Sequence, residues 1–377
     1  MKMERTPDWL DPYPWLDVSS KATDRQVRGA LAHETPGLRE FSILLSKAAG
    51  RQIELMAQKA LALTRKHFGR TIALYVPLYL SNYCSSGCVY CGFASDRRRR
   101  RMRLDSAAMA AEMKVLRKMG FEEILLLTGE RTPQADFNYL HDAVALAAKM
   151  FQLVTIESFP MTADEYSRLV RAGCSGMTIY QETYEPEIYA KAHRWGPKKD
   201  FLHRLETPAR ALAAGMRFVG LGALLGLADP VLEAIALFQH AGELTRVYWQ
   251  GGISISFPRV RPQEGAFQPP HPVNDAFLAQ MIFAFRICMP EIHLVLSTRE
   301  RSSFRDHLAG VGISKMSIAS RTTVGGYHAE NLSGAGQFEV ADGRGLDEFR
   351  NVLKAKGLLP VFKNWDTTFR EEKSGDL

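Results

Sequence analysis

The chain of 377 residues is long enough to bury a large core, and its 46% apolar and 24% charged residues are typical of a globular protein. This composition excludes a disordered chain, a collagen-like repeat and a small disulfide scaffold. The 48 basic and 41 acidic residues leave a net charge of +7, which suits anionic ligands or partners without naming one. Three of the five cysteines fall within eight residues, so a metal site in a reducing, cytoplasmic compartment is favoured over disulfides.

The predicted elements begin with a helical extension over residues 1–68. We expect no secretory leader, because no apolar run follows the first basic residues, and no membrane span, because no apolar run reaches about 20 residues. From residue 71 onward, short β-branched runs alternate with stretches of helical period, which is typical of repeated βα units. The predicted strands are Thr71–Leu80, Glu122–Leu127, Leu153–Glu157, Gly176–Gln181, Arg217–Ala223, Ser254–Phe257, His293–Ser297 and Lys315–Ile318.

Helical stretches follow these strands. They are Ser106–Met119, Phe137–Met150, Ala163–Ala172, Asp200–Ala214, Val231–Ala241, Val273–Cys288, Phe304–Leu308 and Leu346–Lys356. Asp105 and Thr162 are predicted N-caps, and Gly120, Gly173 and Gly215 stand at predicted helix ends. The pattern predicts an α/β fold, a (βα)8 TIM-type barrel over residues 69–320, with residues 321–377 packing on it; a partly open six-unit barrel is the alternative.

A cysteine triplet directly follows the first predicted strand. Cys84, Cys88 and Cys91 have the spacing C-x3-C-x2-C on a glycine-containing loop. Three thiolates on so short a loop can ligate three corners of a [4Fe-4S] cluster and leave the fourth iron open. A structural zinc site needs a fourth ligand, and the nearest upstream histidine is His67. Cys174 and Cys288 are expected to be buried core thiols.

The triplet, with Tyr90 before its third cysteine, resembles the radical S-adenosylmethionine (SAM) enzymes. The resemblance implies that SAM chelates the open iron and yields a 5′-deoxyadenosyl radical. Thr128-Gly129-Glu130 resembles the family's Gly-Gly-Glu turn for the SAM amino group, with Thr128 as a departure.

Further polar residues end the next predicted strands. Glu157 resembles the family carboxylate that binds ribose hydroxyls. Gln181 and Glu182, at the end of the fourth predicted strand, are also expected to face the cavity.

Longer stretches resemble the ThiH family of radical SAM tyrosine lyases, the 2-iminoacetate synthases. The match runs from about residue 30 to Asn364–Asp366 and is carried by the segments 75–82, 180–184, 196–201, 204–208, 219–226, 256–259, 296–300 and 325–327. It implies cleavage of L-tyrosine to 2-iminoacetate and p-cresol, with transfer of 2-iminoacetate to thiazole synthase and reduction by flavodoxin or ferredoxin. No cysteine follows Cys288, which favours this family over the [FeFe]-hydrogenase maturases with their second cysteine cluster. A tryptophan lyase-like enzyme and a non-catalytic iron-sulfur protein are the alternatives.

An amino acid substrate needs a cation for its carboxylate, and Arg299 offers a planar fork for it. Ser317 and Tyr79 resemble positions that hold the amino group. Alternatively, Arg299 pairs with Glu300 or Glu291 at the rim.

The run Asp96-Arg97-Arg98-Arg99-Arg100-Arg101-Met102-Arg103 follows the cysteine loop. We expect a solvated basic face; docking of an acidic electron donor is a second interpretation. RNA binding is not favoured, because no aromatic residues are interleaved. His193 and His203 are expected on a helix surface.

Overall fold

The computed structural model describes residues 6–328 and 336–362, so the similarity noted at Asn364–Asp366 lies outside the described residues. The chain begins with helices that precede the barrel. They are α1 (Tyr13–Ser20), α2 (Asp24–Ala32), α3 (Leu38–Leu44), α4 (Lys47–Gly50) and α5 (Ile53–Phe68). In the described part of the chain, no helix is long and apolar enough to cross a membrane.

A closed barrel of parallel strands forms the centre of the protein. The strands are β1 (Thr71–Tyr79), β2 (Glu123–Leu127), β3 (Leu153–Glu157), β4 (Gly176–Thr178), β5 (Phe218–Gly222), β6 (Gly252–Ser256), β7 (His293–Leu296) and β8 (Lys315–Ser317). Each strand pairs with the next, and β1 pairs with both β2 and β8. The predicted eight-stranded barrel is thus confirmed for the described residues.

A short additional strand, β9 (Leu359–Val361), runs parallel to the start of β1, where Thr71 lies opposite Leu359. It was not predicted, because three residues that include a proline show no strand periodicity. The strand joins the C-terminal segment to the N-terminal end of the barrel.

Helices cover the outside of the barrel. They are α6 (Ser106–Lys118), α7 (Phe137–Ala147), α8 (Ala163–Arg171), α9 (Pro186–Ala192), α10 (Phe201–Leu205), α11 (Thr207–Ala213), α12 (Pro230–Val247), α13 (Asp275–Cys288), α14 (Ser302–Leu308) and α15 (Leu346–Ala355). The helix predicted over 200–214 is divided into α10 and α11, with Pro208 in the first turn of α11, where a proline suits a new helix. Helix α9 and the 3₁₀ turn Pro197–Lys199 were missed.

The predicted helix ends are confirmed. Asp105 accepts a hydrogen bond from the amide of Ala108, and Thr162 forms a reciprocal capping box with Glu165. Gly120, Gly173 and Gly215 all have φ between 96° and 103°, which a glycine adopts without strain.

The barrel interior is partly hollow. A cavity of about 360 Å³ extends from Glu157 and Tyr180 down to Trp249 at the N-terminal end. Its wall combines small or polar side chains such as Thr155 and Ser254 with larger ones such as Leu125 and Met177, and it leaves open space where layers of side chains usually fill such barrels.

Most of the apolar packing lies between the strands and the surrounding helices, and it continues between α3, α12 and α13. The Phe41 ring stacks on Phe238 at 4.3 Å and meets Phe285 edge-on at 4.6 Å. The N-terminal helices therefore belong to the same core as the barrel helices.

Candidate active site

The predicted site residues meet at the carboxyl ends of the strands. A cavity of about 80 Å³ is lined by Cys84, Cys88 and Cys91 after β1 and by the 128–130 turn after β2. Two adjoining cavities, of about 50 and 60 Å³, are lined on their far sides by the substrate residues predicted from the sequence. All three cavities include Glu157 at the end of β3, and one of them is lined by both Cys91 and Arg299, so the cysteine side and the arginine side face a connected region.

The cysteine loop is held by backbone pairing to the segment after α9. The amide of Gly87 donates to the Trp195 carbonyl and the amide of Val89 to the Ala192 carbonyl, each at 3.0 Å. Gly87 lies flat against the Trp195 indole, and a Cβ there would be 2.3 Å from the ring. Only glycine permits this approach.

Tyr90 is fixed by a buried histidine. Its hydroxyl lies 2.7 Å from His193 Nε2, while His193 Nδ1 lies 2.8 Å from the Tyr189 carbonyl. Burial first, and the charge of Lys198 second, lower the pKa of His193 to about 3, so the ring is neutral. Nδ1–H therefore donates to the carbonyl and Nε2 accepts from Tyr90. The expectation that His193 lies on a helix surface is wrong.

The turn after β2 lies directly against the cysteine loop. A Cβ on Gly129 would lie 2.8 Å from the Cβ of Cys84, which leaves room for glycine alone. Thr128, which stands where the family motif has glycine, forms a hydrogen bond from its Oγ1 to Ser158 Oγ at 2.6 Å, so its hydroxyl has a polar partner here. Oε2 of Glu130 is buried without a hydrogen-bond partner in the described part of the chain.

Buried charges surround Glu182, which follows β4 with φ of 72°. Lys198 Nζ lies 2.6 Å and Arg204 Nη2 lies 3.6 Å from its carboxylate, and Arg204 also binds Glu130 at 3.1 Å. Burial would raise the pKa of Glu182, but the two cations outweigh it and hold that pKa below its usual value. Sequence reasoning gave Lys198 and Arg204 no role, although both lie in stretches that carry the family resemblance.

The three cysteines fit a metal cluster. Burial, together with repulsion from Cys91, raises the pKa of Cys84 to about 11, and burial also raises the pKa of Cys88. Thiolates at these positions therefore need a nearby cation, which a cluster supplies on binding. No group of three ligands within residues 6–328 and 336–362 is arranged for a single metal ion, and the cysteines instead line a shared cavity.

On the opposite side of the cavities, Arg299 follows β7. Its guanidinium lies over the Phe338 ring at 3.4 Å, and no ion pair to it occurs among the described residues. Glu300 instead forms an ion pair with Arg259, and Glu291 lies 3.9 Å from His67. The rim pairing considered as an alternative for Arg299 is thus absent from the described residues.

Ser317 and Tyr79 also reach this side. Ser317 Oγ accepts from the Thr298 amide at 3.2 Å, and the Tyr79 hydroxyl donates to Gln337 Oε1 at 2.8 Å. Gln337 Nε2 in turn donates to Cys91 Sγ at 3.6 Å, which links the two sides. Gln337 and its neighbour Phe338 were not predicted from the sequence, because neither belongs to a recognised motif.

Two further expectations differ from the structure. Gln181 does not line these cavities, because its neighbours Tyr180 and Glu182 face them and Gln181 points to the other side of the chain, where its side-chain amide donates to the Phe201 carbonyl at 3.3 Å. The arginine run is only partly a solvated face, since Arg98 and Arg100 are exposed while the arginines between and beside them are partly buried.

Glu157 combines burial with a nearby cation. Burial raises its pKa to about 7, and the charge of Arg299 opposes that rise. The carboxyl group therefore changes its charge near neutral pH, between the cysteine side and the arginine side of the connected cavities.

Residues 78–238 match the Radical SAM superfamily and residues 256–359 match the Biotin and Thiamin Synthesis associated domain. The chain is 42% identical to the 2-iminoacetate synthase of Escherichia coli (strain K12), over 96% of this chain and 95% of that protein. The chain belongs to the 2-iminoacetate synthase family. A second member of that family, from Salmonella typhimurium, is 41% identical over 87% of each chain.

The fold agrees with membership of the 2-iminoacetate synthase family. A crystal structure of HydG, a maturase of the [FeFe]-hydrogenase, superposes with a TM-score of 0.91 at 29% identity, covering 96% of this chain and 82% of that one. The barrel and the helices before it are thus shared with that protein.

Proposed function

We propose that the protein is a radical SAM carbon–carbon lyase that cleaves the Cα–Cβ bond of L-tyrosine. The products are 2-iminoacetate and p-cresol, with methionine and 5′-deoxyadenosine as co-products, for the thiazole moiety of thiamine. The supporting observation is that the cysteine loop and Arg299, a cation without an ion pair in the described residues, face one connected cavity region. The 42% identity to a 2-iminoacetate synthase points to the same reaction.

On the cysteine side, Cys84, Cys88 and Cys91 would hold a [4Fe-4S] cluster. The carbonyls of the 128–130 turn and the free Oε2 of Glu130 suit the SAM amino group, and Glu157 suits the ribose hydroxyls. When bound, the cluster and SAM supply the 5′-deoxyadenosyl radical that takes a hydrogen from the substrate. Tyr90, whose hydroxyl is bound by His193, borders the same space.

On the arginine side, Arg299 binds the tyrosine carboxylate as a planar fork, and Phe338 fixes the plane of that fork. Ser317 and Tyr79 hold the amino group through their hydroxyl oxygens. Their positions would orient the Cα–Cβ bond toward the cysteine side, and orientation of this kind is a large part of what a protein contributes to radical chemistry.

The decisive experiment is anaerobic reconstitution of the full chain with iron and sulfide, followed by SAM, dithionite and tyrosine. We expect p-cresol and 5′-deoxyadenosine, lost in Cys88→Ala and retained in Cys174→Ala, whose thiol is buried away from the site. Cleavage of tryptophan in place of tyrosine would assign another aromatic substrate. A bound cluster without any 5′-deoxyadenosine would indicate a non-catalytic iron-sulfur protein.

We also propose two protein partners. The exposed Arg98 and Arg100 lie next to the cysteine loop and would attract an acidic donor, flavodoxin or ferredoxin. The Arg98→Gln/Arg100→Gln variant should lose the salt dependence of its reduction by flavodoxin and keep its rate of reduction by dithionite. An unchanged salt dependence would show that these two arginines do not form the docking site. Because an imine hydrolyses in water, the product needs a nearby acceptor, for which thiazole synthase is the candidate.

A further inference from the structure

The arginine run after the cysteine loop has two faces. Arg97, Arg99 and Arg101 turn toward the protein, while Arg98 and Arg100 are exposed. The backbone bends at Arg97 and at Arg99, and the Arg99 amide donates to the Arg97 carbonyl at 2.9 Å. We call the first set the inward arginines.

Two inward arginines bind the backbone of the cysteine loop. Arg101 Nη1 donates to the Phe93 carbonyl at 2.8 Å and Nη2 to the Ala94 carbonyl at 2.6 Å. Arg97 Nη2 donates to the Val89 carbonyl at 3.0 Å, and its Nε lies 3.4 Å from the Cys91 carbonyl. Among the described residues no backbone amide donates to the Val89 or Phe93 carbonyl, so the guanidinium groups supply the donors there, whereas the Cys91 and Ala94 carbonyls also accept from backbone amides.

The third inward arginine, Arg99, ties the loop to the rest of the barrel top. Its guanidinium lies 5.0 Å from the Phe93 ring centre and 3.4 Å from the Glu264 carboxylate, and its side chain is only 6% exposed. A buried guanidinium beside Phe93 and Cys91 places positive charge on the cysteine side of the cavity. Among the described residues, neither the Arg98 nor the Arg100 side chain makes such a contact to the cysteine loop.

We propose that the inward arginines are positioning residues that hold the cysteine loop in its cluster-binding shape and stabilise the reduced cluster. The inference rests on the proposed cluster site and adds a role to residues outside the cysteine motif. The geometric part follows from the carbonyl contacts of Arg97 and Arg101. The electrostatic part follows because reduction adds a negative charge to the cluster, and nearby cations and hydrogen bonds raise cluster potentials.

The test compares Arg101→Gln and Arg99→Gln with the exposed control Arg100→Gln in the full chain. In the cluster-free protein, the amide hydrogens of residues 84–94 should exchange at least tenfold faster in Arg101→Gln than in wild type. In Arg100→Gln their exchange rates should equal those of wild type. By redox titration of the reconstituted protein, Arg99→Gln should lower the ratio of reduced to oxidised cluster about tenfold at a fixed applied potential. This corresponds to a midpoint potential lower by about 59 mV for one electron.

A conservative variant separates shape from charge. Arg99→Lys should keep the midpoint potential close to wild type, whereas a purely structural role predicts the same shift for Lys as for Gln. Equal exchange rates and equal potentials in all variants would overturn the inference while leaving tyrosine cleavage untouched. Failure of the wild type to bind any cluster would instead refute the proposed function on which the inference rests.

Discussion

The buried ion group at Glu182 allows a quantitative prediction. Its carboxylate lies 2.6 Å from Lys198 Nζ and 3.6 Å from Arg204 Nη2, and none of the three side chains is more than 11% exposed. Glu182→Gln leaves Lys198 charged and buried without its carboxylate, while Arg204 keeps Glu130. Breaking a buried pair in this way costs about 3–5 kcal/mol. We expect urea unfolding of the cluster-free chain at pH 7.5 to show a loss of that size.

The control is the double variant Glu182→Gln/Lys198→Met, which removes the orphaned cation and should recover at least half of the loss. The pKa of Glu182 lies below its usual value in the folded protein, so its stabilisation is complete above the unfolded pKa of 4.5. It is lost as the pH falls through the folded pKa, and wild type and Glu182→Gln should converge there. A loss under about 1 kcal/mol at pH 7.5, or no recovery in the double variant, would refute this reasoning.

Three further predictions address the same site and its surroundings. Gly129→Ala would place a Cβ 2.8 Å from the Cβ of Cys84 and should lower the free energy of urea unfolding by about 1–3 kcal/mol. The control Gly29→Ala, which has open space around it in α2, should raise that free energy by up to about 1 kcal/mol. Equal effects of the two substitutions would contradict the close approach at Gly129. Burial raises the pKa of Glu157 to about 7, so wild type should lose stability relative to Glu157→Gln as the pH rises from 4.5 to 7. Parallel curves of unfolding free energy against pH for the two proteins would exclude that shift. Arg299→Lys should raise the KM for tyrosine with cluster content unchanged, and unaltered tyrosine affinity would remove Arg299 from the substrate site.

The barrel strands were predictable because most are short apolar runs, several rich in β-branched residues, and are followed by a stretch of helical period. Predicted and observed strands agree to within one residue at most ends, as for Leu153–Glu157. The largest error lies at β4, which ends at Thr178 and not at Gln181. Backbone hydrogen bonds to β5 nevertheless continue past Thr178, from the amides of Ile179 and Gln181 to the carbonyls of Gly220 and Gly222, so the prediction overran the regular strand but not its pairing.

The candidate site was predictable where its residues are close in sequence. The cysteine triplet and the 128–130 turn are local motifs, and the structure brings them into contact. Gln337 was not predictable, because it follows Cys91 by 246 residues and reaches it only through the fold. The arginine run was mispredicted for a related reason. Its charge predicts solvation, but the fold brings loop carbonyls close enough to accept hydrogen bonds from Arg97 and Arg101.

The hollow barrel changes where this protein tolerates substitution. Ser254 and Thr155 border open space, so somewhat larger apolar residues can be accommodated there without forcing neighbouring strands apart. The stacked rings of Phe41, Phe238 and Phe285 leave no such room on the outside. Sequence drift should therefore be freer at these two inner positions than in this aromatic cluster of the helical jacket, the reverse of the usual division between interior and exterior.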